Sequence, residues 1–202
     1  MPLTGASATE ILGFLTGVIN VGLLVRQNLW NWPVGISNNL IYLAVFVRAG
    51  LYGGAALQVV FAALNAYGWW HWRHPGARLT ELPVTRTRRG AWMWLAPLTG
   101  AAAAAFALFL SRYTDSTVPA WDGVTVALSL AATYGQTRKL LESWWLWIAA
   151  DLIYIPLYIY KSLWLTAALY VVFLMLCIIG LHAWRRSMNP AGEARPPEAA
   201  TP

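Results

Sequence analysis

One carboxylate, Asp151, stands inside the segment WWLWIAADLIYIPLYIYK (Trp144 to Lys161), which is otherwise almost wholly apolar and aromatic. An acid near the middle of such a span is costly in lipid, so it faces a cavity or a partner. Trp144, Trp147, Asp151, Tyr154 and Tyr158 recur at spacings of 3, 4, 3 and 4, which stacks them on one helical face. Trp32, Gly35, Asn39, Tyr42 and Phe46 repeat that spacing earlier in the chain. Gln58, Asn65 and Trp69 follow at 7 and 4, and Ser129, Thr133 and Gln136 form a further polar set. Aromatic faces around a carboxylate suit an organic cation, because ring quadrupoles and the acid both favour positive charge. Amides add the hydrogen bonds that recognise a sugar or a carboxamide.

The same residues have a plainer reading. Asp151 could bond across helices to Asn39 or a tyrosine, and Trp32 and Trp144, near helix ends, could be interfacial anchors. Lys161 and Arg138 lie nearer the helix ends than Asp151, so no base is expected at its depth. Spans without a cluster of Arg or Lys also argue against a phosphorylated ligand, which basic residues or helix N-termini normally bind.

Composition says what must position these residues. The chain has 202 residues, 58% hydrophobic and 11% charged, against about 25% charged in soluble domains. The mean hydropathy is +0.51, and the 13 Trp and nine Tyr fit two interfacial girdles. The expected class is therefore an all-α polytopic membrane protein. A single cysteine, Cys177, rules out an intrachain disulfide framework and makes a Cys-based metal site implausible. The start, MPLTGASATE, lacks the basic region of a cleaved signal peptide.

Apolar runs of spanning length fall at about 10–25, 32–47, 53–70, 91–111, 122–137, 144–160 and 162–181. Seven helices put the termini on opposite sides. Arg26, Arg73, Arg78, Arg86, Arg88, Arg89, Arg138, Lys139, Arg185, Arg186 and Arg195 share one side, while Arg48, Arg112 and Lys161 take the other. The positive-inside rule then makes the richer side cytoplasmic, with the C-terminus inside and the N-terminus outside. The net charge of +6 thus reads as topology, not as a nucleic-acid surface.

Residues 32–73 and 144–185 align without a gap at an offset of 112, with 16 identities in 42 positions. LIY 40–42 meets LIY 152–154, AALQVVF 55–61 meets AALYVVF 167–173, and Gly68 and Trp72-Arg73 meet Gly180 and Trp184-Arg185. This implies seven transmembrane helices in a 3+1+3 plan of two parallel repeats, an architecture known in transporters with midplane sites. The expected division is a short segment 1–9, repeat one at 10–72 and a basic loop at 73–90. A linker helix follows at 91–111, repeat two at 112–185, and a disordered Pro/Ala-rich tail at 186–202. The Ala-rich linker helix suits close packing on a neighbour.

No zinc pattern, paired carboxylates or nucleophile motif appears, and His71, His74 and His182 lie near the basic side, so an enzyme is not expected. Neither a cofactor nor a metal is called for. A proton-coupled pump would need further intramembrane ionisable groups beside Asp151.

NWPVGISNNLIYLAVFVRAGLYGGAALQVVFAALNAYGWWHWRH and LESWWLWIAADLIYIPLYIYKSLWLTAALYVVFLMLCIIGLHAWRR together resemble the Pnu-type vitamin transporters, the PnuC family. The resemblance rests on WP-G, LY-(x)4-LQ and N-x-YGWW-x-W in order. It implies a small trimeric carrier, SWEET-like in plan, in a bacterial inner membrane. Its substrate would be nicotinamide riboside, a precursor for NAD biosynthesis, moved by facilitated diffusion and trapped by intracellular phosphorylation. Thiamine is the alternative within the family, since Asp151 stands where several nicotinamide riboside carriers have Asn. By the same resemblance the pocket would use Asn39, Gln58, Asn65, Trp144, Trp147 and Asp151, with Tyr154 and Trp69 beside them. Gln136 joins them from its position on the fifth helix.

Overall fold

The computed structural model describes residues 8–48, 50, 52–76, 81–114 and 117–188. Residues 1–7 of the expected N-terminal segment, Arg78 of the basic loop and residues 189–202 of the expected tail, Arg195 included, lie outside the described residues. The described chain forms seven α-helices: α1 (Ala8–Val25), α2 (Asn31–Arg48), α3 (Tyr52–Arg73), α4 (Arg89–Tyr113), α5 (Pro119–Thr137), α6 (Ser143–Tyr160) and α7 (Trp164–Ser187).

These helices match the apolar runs in number, and their ends differ from them for physical reasons. Hydropathy marks the apolar layer, whereas a helix continues while its backbone bonds are met. So α3 and α7 run on through Arg73 and through Arg185 and Arg186. The expected start of α7 at 162 falls instead in a turn. Ser162 takes a left-handed φ of 59°, Ser162 N–H donates to Ile159 O, and Leu163 N–H donates to Tyr158 O. This is a Schellman-type stop for α6. Pro119 opens α5, where its fixed φ suits a first helical turn and its missing N–H costs nothing.

Helix contacts close a ring. α1 packs on α2, α2 on α3, α3 on α5, α5 on α6, α6 on α7, and α7 on α1. Ring order therefore sets α1 opposite α5, α2 opposite α6 and α3 opposite α7. α4 stands outside the ring against α5, with no buried residue of its own. Gly123 makes that contact possible: a Cβ there would sit 2.6 Å from Ala107 N and 2.7 Å from Ala103 O, both backbone atoms.

The burial pattern inverts that of a water-soluble protein. Thr125, Ser129, Thr133, Gln136, Thr137, Lys139, Ser143 and Asp151 are buried, while Leu40, Val59, Val60, Leu98, Leu108, Leu152, Val171, Ile178 and Ile179 are exposed. A large exposed apolar surface around a polar interior fits lipid as the surrounding solvent. By length and apolar composition alone, Arg89–Tyr113 and Thr166–Ser187 are sufficient to cross a membrane. The ring's other helices carry the polar side chains that face inward.

Candidate functional site

Three levels of side chains line up inside the ring, from the end bearing the basic loop to the opposite end. At the basic end four tryptophans form a chain. Trp32 meets Trp72 edge-on (centroids 5.1 Å, 87°), Trp72 lies 6.1 Å from Trp184, and Trp184 meets Trp144 edge-on (5.3 Å, 89°). Glycines seat the outer two. A Cβ on Gly68 would lie 2.4 Å from the Trp32 ring, and one on Gly180 would lie 2.4 Å from the Trp144 ring. Trp72 Nε1 donates to Gln136 O (3.1 Å), and Trp184 Nε1 donates to Leu24 O (3.2 Å). Each bond in one half has its counterpart 112 residues away. The interfacial-anchor reading of Trp32 and Trp144 is thereby overturned: both are at most 1% exposed, because glycine notches draw them into the core.

Lys139 covers this cluster. Its Nζ lies 4.4 Å from the Trp72 ring centroid and donates to Gln27 Oε1 at 3.0 Å. Gln27 and Lys139 end α1 and α5 in left-handed backbone (φ 53° and 50°), with Asn28 N–H bonded to Leu23 O and Leu140 N–H to Gly135 O. Such a conformation costs a non-glycine residue about 1–2 kcal/mol, so surrounding contacts must hold it. Burial pulls the Lys139 ammonium below the ordinary lysine range, against an opposing pull from Glu81.

A strap from the basic loop lies over the same end. Thr85 N–H donates to Lys139 O (3.0 Å) and Leu141 N–H donates to Thr85 O (2.9 Å). Thr87 donates through its N–H (2.8 Å) and its hydroxyl (2.9 Å) to Glu142 Oε2. Leu82 and Val84 pack against the tryptophan core.

The middle level holds Asp151. It is 2% exposed, and its Oδ2 accepts a 3.5 Å bond from Cys177 Sγ, a weak donor. The partner proposed from sequence, Asn39 or a tyrosine, is thus replaced by the cysteine one helix away. Across the ring Asn39 Nδ2 is buried with no hydrogen-bond partner among the described residues. The Asn65 amide lies against Gly35, where an added Cβ would be 3.1 Å from Nδ2. Asn65 stands 112 residues before Cys177, as Asn39 does before Asp151. The described Arg and Lys residues lie in loops or in the terminal turns of helices, so none sits at this level.

At the far level Tyr154 faces Thr125 and Ser129 of α5, and its ring lies 4.6 Å from Tyr170 and 5.7 Å from Tyr158. Tyr158 stacks on Tyr170 at 5.1 Å, and Phe173 meets Tyr170 edge-on at 5.8 Å.

The ring thus gathers Asn39, Asn65 and Asp151 at mid-depth. Trp69, Trp144 and Trp147 belong to the tryptophan end, with Gln136 beside Trp72 and Arg73 over the Trp69 ring at 5.9 Å. Gln58 is half-buried on α3, 112 residues before Tyr170, apart from the hydrogen bonds that join the others. Thr133 donates to Ser129 O of its own helix at 2.7 Å, so that hydroxyl is spent within α5. Sequence reasoning did not reach Gln27, Lys139, Trp72, Trp184, Cys177 or Tyr170 as site residues. The repeat already paired Trp72 with Trp184, whereas Gln27 and Lys139 lie outside the aligned run and differ in type.

The family model described as nicotinamide mononucleotide transporter matches residues 7–186. The chain belongs to that family. Members are membrane transporters. The riboflavin/roseoflavin transporter RibM of Streptomyces davaonensis is 28% identical over 196 residues, covering 93% of this chain and 91% of its own. The nicotinamide riboside transporter PnuC of Escherichia coli is 24% identical over 212 residues, covering 91% and 87%. The crystal structure of the vitamin B3 transporter PnuC superposes with a TM-score of 0.70 at 21% identity, covering 89% of this chain and 81% of that one. The family resemblance expected from sequence is thus shown, and the chain is a PnuC-type transporter.

Proposed function

We propose that this family member is a passive carrier of an unphosphorylated, cationic vitamin, with nicotinamide riboside as its substrate. One observation carries the reading. Asp151 and Asn39, at matching depth on opposed helices, keep hydrogen-bonding capacity that the fold does not use. A buried carboxylate whose one hydrogen-bond partner among the described residues is a thiol favours a positively charged guest, and an amide donor without a partner there suits a sugar or carboxamide oxygen. Without a basic residue at that depth, a phosphate would be poorly matched.

In this reading two parallel three-helix repeats, α1–α3 and α5–α7, enclose the path and α4 joins them outside. The basic end faces the cytoplasm of a bacterial inner membrane, the N-terminus faces outward, the carrier works as a homotrimer, and phosphorylation inside traps the vitamin. Bonds repeated at an offset of 112, such as Trp72 to Gln136 and Trp184 to Leu24, support the two-repeat plan.

Riboflavin is the second reading, favoured by the 28% identity to RibM over nearly the whole chain. Uptake of labelled nicotinamide riboside, riboflavin and thiamine into proteoliposomes tests the choice. Nicotinamide riboside should enter fastest. Saturable riboflavin uptake without nicotinamide riboside uptake would replace the first reading by the second.

A further inference from the structure

The basic end of the ring is sealed in two layers, and neither layer belongs to the vitamin site. The inner layer is the contact of Trp72 with Trp184, which spans the ring between the opposed helices α3 and α7. Lys139 and Gln27 bridge the ends of α5 and α1 directly over it. The outer layer is the 81–88 strap, held by Thr85 at the α5–α6 turn and by Thr87 on Glu142. Both layers converge on residues 139–142, so the turn after α5 is the common anchor.

We propose that the Lys139–Gln27 bond is the latch of the gate at the basic end, and that the 81–88 strap is its cover. Three features of this end agree. The bond joins two helix ends that share no other hydrogen bond among the described residues and that both hold left-handed backbone. A buried ammonium resting on a tryptophan face is held in place only while the ring is closed around it. The strap's attachments are a handful of hydrogen bonds and two apolar side chains, few enough to be released and remade in each cycle. Opening would part Lys139 from Gln27, separate Trp72 from Trp184, and let water reach the Asp151 level from the basic side. The inference rests on the transport reading, and the following test does not need the vitamin.

Cys177, the chain's one cysteine, is buried beside Asp151, two turns of α7 beyond Trp184. Its rate of labelling by a membrane-impermeant thiol reagent, added to one face of sealed vesicles, reports opening toward that face. Lys139→Met and Gln27→Met should raise labelling from the basic face by roughly tenfold, the lower range expected for losing a charge-assisted bond. Glu142→Ala, which frees the strap, should act in the same direction. Gln27→Glu places a carboxylate against the ammonium and should slow labelling below that of the unmodified protein. Labelling from the opposite face should stay unchanged in all four. Equal labelling throughout, or an increase of the same size from both faces, would overturn the latch, the second by showing general loosening. Nicotinamide riboside exchange should follow the same order. Absence of exchange in the unmodified protein would fail the vitamin reading, while the labelling order still decides the gate.

Discussion

Lys139 Nζ donates to Gln27 Oε1 at 3.0 Å, and the two residues stand 112 positions apart, the offset that separates every matched pair of the chain's two halves. One half carries a glutamine and the other a lysine at this position, and the two equivalents meet over the tryptophan cluster. The pair lies where the halves touch, so it couples the end of one to the end of the other.

The buried charge on Lys139 makes stability depend on alkaline pH. Burial lowers its pKa in the folded chain relative to the unfolded chain. In the window between that lowered value and the ordinary one, about 10.4, the unfolded chain binds more protons, so stability rises with pH there. Below the window the cost of the buried charge is fully present. Thermal melts of the parent minus those of Lys139→Met, taken from neutral to alkaline pH, should therefore show a difference that rises with pH. A flat difference would show that Lys139 is solvated in the folded protein.

The glycine notches give a prediction whose sign departs from propensity. Replacing Gly by Ala inside a helix ordinarily stabilises by about 0.5–1 kcal/mol. At Gly68 and Gly180 the new Cβ would meet a tryptophan ring at 2.4 Å. Overpacking of this kind costs about 1–3 kcal/mol, so Gly68→Ala and Gly180→Ala should each lower the Tm. Trp144→Phe should recover part of the loss for Gly180→Ala. A raised Tm in either glycine variant would mean that the tryptophans move aside freely.

Trp72→Phe keeps the ring and removes the donor to Gln136 O. Gln136 O keeps the bond it accepts from Lys139 N–H at 3.0 Å, so the cost is that of one hydrogen bond, about 0.5–1.5 kcal/mol, measured as a lower Tm. Trp184→Phe should cost a similar amount, since Leu24 O likewise keeps a bond, from Gln27 N–H at 2.9 Å. Unequal losses would show that the two halves share the sequence offset without sharing its energetics.

The elements and their inward faces were legible in the sequence because both depend on local spacing. Trp144, Trp147, Asp151 and Tyr154 fall on one face whatever surrounds them, and Asn39 follows at the same register in α2. What the spacing could not supply was which face meets which neighbour. Cys177 reads as one more apolar residue of α7 until α6 packs beside it and presents Asp151. Lys139 reads as a topology signal until the α5 terminus turns left-handed and swings it over Trp72. Trp32 and Trp144 look like anchors by position, and only the absence of a Cβ on Gly68 and Gly180 draws them inward. Long-range complementarity of this kind leaves a trace in the 112-residue offset and nowhere else.

Asp151→Asn keeps the shape of the mid-level site and removes its charge. If the carboxylate holds a cationic vitamin, affinity should fall by roughly 10- to 150-fold, the range of a charge-assisted contact, with Tm little changed. Unchanged affinity in a folded variant would assign Asp151 to Cys177 and to helix packing.

Transport should need no gradient. The described spans place no second carboxylate and no His, Lys or Arg at the depth of Asp151, so a proton relay has no next step. Proteoliposomes should equilibrate nicotinamide riboside across the membrane at the same final ratio with or without imposed proton or sodium gradients. Accumulation only under a gradient would show coupling.

The central claim is that the mid-level site takes the unphosphorylated cation, in a family whose description names the mononucleotide. Calorimetric titration of the purified protein with nicotinamide riboside and with nicotinamide mononucleotide tests it most directly. Tighter binding of the riboside is the expected result, since the added phosphate meets Asp151 and no base at that depth. Equal or tighter binding of the mononucleotide would contradict the account.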